Sequence, residues 1–254
     1  GRQHRFAVAF RIDRSGHHSS GSSLTGPLCD TDPLQVGKAV VPAVGEGTDH
    51  QLSEEVVANF MGQVHEFLGR SSAPNYALLR GVGTLPEIPT LNELYGLKGA
   101  VLATYPMYRG VAQLVGMRSL DTPDRASQLS KLKAHFDQFD LFFVHFKETD
   151  SEGHKGDFDA KCRELEKADE FFGSCLALPF DVVVLTGDHS TPAVLKDHSH
   201  HPVPTAIWSK HCLRDHVDHF CERSVVNGTL GKILARDLLG YAMAEASRLN
   251  KFGA

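Results

Sequence analysis

The stretch Leu141-Phe142-Phe143-Val144-His145-Phe146, running straight into Lys147-Glu148-Thr149-Asp150-Ser151-Glu152-Gly153-His154, decides how the chain is read. Its first six residues are almost wholly apolar, the pattern of a strand buried on both faces. The polar run after them carries acid and imidazole. A second stretch repeats the arrangement: Asp181-Val182-Val183-Val184-Leu185-Thr186 reads as a buried strand and ends in Gly187-Asp188-His189-Ser190-Thr191-Pro192. Between the two, residues 157–175 have helical spacing, with Ala160, Leu165, Ala168, Phe171 and Phe172 on the buried side. Strand, helix and strand in succession predict an α/β fold, a mostly parallel sheet flanked by helices.

Working outward, residues 100–104 and 205–208 read as further strands, and 111–115, 125–136 and 230–249 as helices. Upstream the pattern differs. Residues 5–12 suggest a strand, and residues 15–33 a long loop rich in Gly, Ser and His. Ser53 caps an amphipathic helix through Val57, Phe60, Met61, Val64 and Leu68, ending near Gly69, and Tyr76-Ala77-Leu78-Leu79 is a short strand closing on Arg80-Gly81. A proline-bearing segment at 86–89 precedes a change of composition, so the expected division is a smaller α/β substrate-binding domain over 1–95 and a larger α/β domain over 96–254.

The 254 residues are 41% hydrophobic and 22% charged, which excludes disordered and collagen-like classes. A net charge of -5 gives no pull toward nucleic acid or an anionic membrane. No apolar run approaches the roughly 20 residues that span a bilayer, and Gly1-Arg2-Gln3-His4-Arg5 lacks a signal layout. The expected location is therefore the cytoplasm. Five cysteines, widely spaced and without a C-x-x-C pair, are expected to be reduced thiols.

The anomaly is histidine, of which there are 15. A lone Asp or His after a strand is ordinarily a turn former. Here Asp150, His154, Asp188, His189 and His198 stand after strands at what should be one edge of the sheet, where ligands gather in such folds. Oxygen and imidazole ligands suit Mn²⁺ or Zn²⁺, and two ions about 3.5–4 Å apart clamp a transferring phosphoryl group. His200 and His201 read as loop neighbours of a metal. His17 and His18 either reach a substrate phosphate or lie in solvent. Phosphate also needs cations, and an arginine fork grips two oxygens at once. Arg80 is the foremost candidate for binding substrate; Arg11 and Arg14 are either further substrate-binding cations or exposed strand-end residues.

The motifs Thr149-Asp150-Ser151-Glu152-Gly153-His154 with Gly156-Asp157-Phe158, Thr186-Gly187-Asp188-His189-Ser190-Thr191-Pro192 and His198-Ser199 before Pro202-Val203-Pro204 resemble the alkaline phosphatase superfamily. More narrowly, the chain is similar to archaeal-type cofactor-independent phosphoglycerate mutases. Leu79-Arg80-Gly81, Cys29-Asp30-Thr31-Asp32-Pro33, Leu97-Lys98-Gly99-Ala100 and the segment 110–117 extend the likeness nearly end to end. The resemblance implies two divalent metal ions (Mn, Zn or Mg), no 2,3-bisphosphoglycerate, and a small phosphorylated substrate, phosphoglycerate. It gives Asp150, His154 and His198 to one metal and Asp188 and His189 to part of the other. Arg109 falls where the family usually has Lys and is expected to act on charge in the transferring group.

One departure stands out. The family's further metal-ligating Asp and its phosphorylated serine have no counterpart here, so the chain is expected to be an N-terminally incomplete form whose sheet lacks its opening strand. Alone it is expected to be inactive. Two alternatives stay open: a phosphatase or phosphodiesterase of the same superfamily, and a non-catalytic metal-binding subunit.

Overall fold

The computed structural model describes residues 6–10, 27–45, 50–72 and 75–249. The chain divides into two compact units, Gly1–Ile88 and Pro89–Ala254.

The first unit is organised by helix α1, Gln51–Leu68. Ser53 does not cap it; the N-cap is His50, and Ser53 is buried inside the first turn. Val57 and Met61, one turn apart, pack with Leu28 and Leu79 into a small core. Residues 76–79 form no laddered strand. Instead the buried Thr31 serves Leu79 twice over: its N–H donates to the Leu79 carbonyl at 2.9 Å, and its hydroxyl accepts the Leu79 N–H at 2.8 Å. A side chain thus replaces the neighbouring strand that the apolar run seemed to require. Residues 6–10 likewise form no paired strand, and the rest of that expected element lies outside the described residues.

The second unit begins with α2, Leu91–Tyr95, closed by a reciprocal capping box between Thr90 and Glu93. Then come β1, Gly99–Ala103; α3, Pro106–Leu114; β2, Arg118–Ser119; α4, Arg125–His135; and β3, Leu141–His145. They are followed by α5, Glu148–Lys155; α6, Phe158–Cys175; β4, Val182–Leu185; β5, Ala206–Ser209; α7, Glu222–Val225; and α8, Leu238–Glu245.

Strands β2, β1 and β3 form a parallel sheet in that order, with Gly99 opposite Leu141 and Ala103 opposite His145. All five residues of β1 are buried, and their alternation divides the core. Ala100 and Leu102 meet Leu132 of α4 and Phe171 of α6 on one face. Val101 and Ala103 meet Ala112 of α3 and Met117 on the other. Gln128, fully buried on α4, donates through its side-chain amide to the carbonyls of Leu102 and His145. It pins the carboxyl ends of β1 and β3 side by side.

Two corrections concern the later elements. β5 pairs with β4 antiparallel, Val182 opposite Ser209, because the connection between them contains no crossover helix to carry the chain back to the starting edge. No ladder joins β3 to β4 among the described residues. The expected helix over 230–249 is confined to eight residues of α8, since Gly231 takes a positive φ of 65° and Leu234 is extended. No helix among the described residues is long and apolar enough to cross a membrane.

Candidate metal centre

The site grows out of α5, an element whose sequence reads as a loop. Glu148-Thr149-Asp150-Ser151-Glu152-Gly153-His154-Lys155 has no apolar periodicity to mark it as helical. Its ends nonetheless carry helix signals: Glu148 and Asp150 in the first turn, His154 and Lys155 in the last, and a left-handed Gly156 as C-cap. Helical spacing of four places Asp150 and His154 on one face.

Two glycines let α5 dock. A Cβ on Gly153 would occupy the place of the Thr191 carbonyl oxygen, and one on Gly156 would strike the Lys196 side chain. The segment 190–199 closes on itself through a bridge between Ser190 and Ser199, which returns His198 to the helix. His154 Nδ1 then lies 3.2 Å from the Lys196 carbonyl. A carbonyl only accepts, so Nδ1 carries the proton and Nε2 of a neutral His154 offers its lone pair.

That Nε2 stands 3.1 Å from His198 Nε2, and the two nitrogens lie 3.5 and 3.7 Å from Asp150 Oδ1. All three ligand atoms fall within 4.8 Å of one another. Two imidazole nitrogens this close to each other and to a carboxylate require a proton or a cation between them. The donor set fits a divalent ion of the kind held by oxygen and nitrogen.

Asp150 is oriented for this task. Lys147 donates to its other oxygen, Oδ2, and the buried Thr191 donates to Oδ1 at 2.7 Å. Burial alone would raise its pKa, but those two donors and the nearby His154 outweigh it and hold the carboxyl below its ordinary value. Thr191 is itself held: Lys161, whose pKa is lowered by burial, donates to its carbonyl at 2.5 Å.

Asp188 and His189 leave β4 beside this triad. The His189 ring lies tilted against His198, 3.8 Å between centroids, with Nδ1 3.2 Å from the Thr191 hydroxyl. His189 Nε2 faces Asp188 Oδ2 at 3.4 Å. All five residues expected as metal ligands therefore lie together. Two partners of the cluster were missed: Thr191, and Tyr108 of α3, whose hydroxyl donates to Asp188 Oδ2 at 3.0 Å. Burial first and the Asp188 charge second push the Tyr108 pKa far up, so the phenol keeps the proton it donates. A Tyr on a helix 80 residues away in sequence gives no local signal of that role.

The cations are placed differently. Arg109 Nε donates to Ser119 Oγ at 2.8 Å and its guanidinium faces Asp121 at 3.9 Å, rather than any of the five candidate ligands. Arg80, in the first unit, lies 3.7 Å from both Asp30 and Asp32. Arg11, Arg14, His17 and His18 lie outside the described residues. His200 and His201 stack on each other, and His201 Nδ1 is 2.9 Å from Ser199 Oγ.

Comparison with known proteins adds a consistent set of likenesses. The profile described as Metalloenzyme superfamily matches residues 48–244, which includes all five candidate ligand residues above. A Thermotoga neapolitana protein named "Probable 2,3-bisphosphoglycerate-independent phosphoglycerate mutase" is 40% identical over 255 residues, covering 100% of this chain and 61% of its own length. An Aquifex aeolicus protein of the same name is 40% identical, with 100% and 62% covered. This chain thus spans about 61% of the length of such curated relatives. Among solved structures, a Pyrococcus horikoshii protein matches with a TM-score of 0.65 and 32% identity, over 69% of this chain and 57% of its own. A cofactor-independent phosphoglycerate mutase from Thermoplasma acidophilum matches in fold, with a TM-score of 0.59 and 20% identity over 89% of this chain and 61% of its own.

Proposed function

The chain belongs to the Metalloenzyme superfamily, and from that premise we propose that it serves a metal-dependent phosphoglycerate mutase, interconverting 3-phosphoglycerate and 2-phosphoglycerate without 2,3-bisphosphoglycerate. The observation that carries this reading is the convergence of Asp150, His154 and His198 within 4.8 Å, with Asp188 and His189 alongside. The names of relatives that match the whole chain at 40% identity support the choice of reaction.

Asp150, His154 and His198 would hold one divalent ion, and Asp188 with His189 would supply part of the holding of a second, Mn²⁺ or Zn²⁺ suiting the donors better than Mg²⁺. Such ions neutralise the charge on phosphoryl oxygens during transfer. The chain's own residues do the preparatory work. Lys147 and Thr191 keep Asp150 ionised and aimed, and the Lys196 carbonyl keeps the His154 proton on Nδ1. Arg80 is assigned to the part of the substrate that does not move, and Arg109 to charge on the transferring group; Arg109 would first have to exchange its Ser119 and Asp121 partners. Arg11 and Arg14 are proposed as further substrate cations.

The test is the product of the complete reading frame, supplied with Mn²⁺ and 3-phosphoglycerate. Formation of 2-phosphoglycerate supports the mutase reading. Free phosphate as the product would transfer the assignment to a phosphatase, and a protein that binds Mn²⁺ but turns over neither way would make it a metal-binding subunit.

A further inference from the structure

Asp188 has little of its own connecting segment to hold it. It stands in the connection after β4 with its side chain 49% exposed, and its Oδ1 is turned back onto the His189 amide at 3.0 Å. The oxygen that matters is Oδ2. The Tyr108 hydroxyl at 3.0 Å and His189 Nε2 at 3.4 Å meet there.

Tyr108, in contrast, is anchored. It sits in the first turn of α3 and packs against the core cluster of Val101, Ala103, Ala112 and Met117. Its ring lies on that of His145 with centroids 3.6 Å apart and planes at 26°. His145 ends β3 opposite Ala103, and Gln128 holds its carbonyl. The phenol therefore inherits its position from the central strands, while the carboxylate it touches belongs to a connecting segment.

Resting on the metal-centre reading above, we propose that Tyr108 is a positioning residue for the Asp188–His189 half of the centre, its hydroxyl fixing Asp188 Oδ2 beside His189 Nε2 so that a divalent cation meets a preset pair. A carboxylate oxygen has two lone pairs, so the phenol occupies one and leaves the other to the ion. The complementary half has separate supports: Asp150 is held by Lys147 and Thr191, and His154 by the Lys196 carbonyl. Removing the Tyr108 hydroxyl should consequently be felt on one side only.

Titration of the purified chain with Mn²⁺, followed by calorimetry and by the electron spin resonance of free ion, tests this without any turnover. Asp150→Asn and Asp188→Asn identify which binding component belongs to which half. Tyr108→Phe keeps the ring stack and should melt, metal-free, like the parent. It is expected to weaken the Asp188 component about 10–100-fold, the usual effect of losing an outer-shell partner, and to leave the Asp150 component unchanged. In Tyr108→Phe/Asp188→Asn the tyrosine effect should vanish. The proposal is overturned if Tyr108→Phe matches the parent at both components, weakens both alike, or keeps its full effect when Asp188 is already gone. It is overturned too if Asp188→Asn leaves the parent titration unaltered. A parent chain that binds no Mn²⁺ at all defeats the metal reading itself, which separates that failure from a fault in the tyrosine assignment.

Discussion

Thr191 has one hydroxyl proton, and its neighbours decide where it goes. Ionised Asp150 can only accept, so Thr191 donates to Oδ1 at 2.7 Å and must itself accept from His189 Nδ1 at 3.2 Å. In a neutral His189, Nε2 is then the lone-pair nitrogen, turned toward Asp188. Thr191→Val preserves shape while deleting both bonds. We expect Mn²⁺ to bind about 10–100-fold more weakly, with the metal-free fold intact by circular dichroism. Another single-residue expectation concerns Cys175. Burial pushes its thiol up to about 11, so at pH 8 iodoacetamide should leave it unmodified in the folded chain while exposed Cys29 is alkylated, as peptide mass spectrometry would read. At this scale the clustering of the five candidate ligands was legible, because Asp and His after buried strands are unusual company. Tyr108 and Thr191 were not, since a hydroxyl's role depends on what faces it.

Between α5 and the segment after β4, close approach is made at two glycines, Gly153 against the Thr191 carbonyl oxygen and Gly156 against the Lys196 side chain. Gly153→Ala places a methyl group on the Thr191 carbonyl oxygen, which has no flexible end to swing aside. The cost should be about 1–3 kcal/mol in urea unfolding, and Mn²⁺ affinity should fall with it because Asp150 and His154 ride on the same helix. Gly173→Ala on α6 is the matching control. Open space surrounds it, and the gain in helix propensity should stabilise by about 0.5–1 kcal/mol. Equal destabilisation by both would show that the α5 contact is not specific. The elements with apolar periodicity, α1, β1, α4, β3, α6 and β4, were readable within a few residues of their ends. Helix α5 was not, for its signals are the charges at its ends, a glycine C-cap and docking through glycines.

Over the second unit as a whole, Asp140 draws distant parts together. It accepts the Lys98 N–H at 2.9 Å, just before β1, and the Arg248 guanidinium at 2.8 Å, just after α8. The Lys98 amide is the chief reason its pKa lies below the ordinary value of 3.8, with burial opposing and Arg248 assisting. A carboxyl depressed on folding stabilises above its unfolded pKa and loses that contribution as pH falls through the lower folded value. Asp140→Asn should therefore cost about 1–2 kcal/mol at pH 7. The difference from the parent should shrink steadily below about pH 4, near the unfolded carboxyl value. A gap that persists undiminished at pH 2 would mean that shape, not charge, is what Asn fails to reproduce.

The sequence by itself determined the α/β class, the buried strands β1, β3 and β4 with the helices between them in the second unit, and the identity of the acid and imidazole residues beyond those strands. These are consequences of spacing along the chain: an apolar run long enough for a strand, a helical period, a polar segment at the strand end. Only the tertiary structure decided that β5 runs antiparallel to β4, that Thr31 stands in for a strand beside Leu79, and that Arg109 turns to Ser119. It alone brought Tyr108 to Asp188 across 80 residues. Each of these is settled by packing between segments far apart in sequence, where the available partner, rather than local preference, determines which hydrogen bond is made.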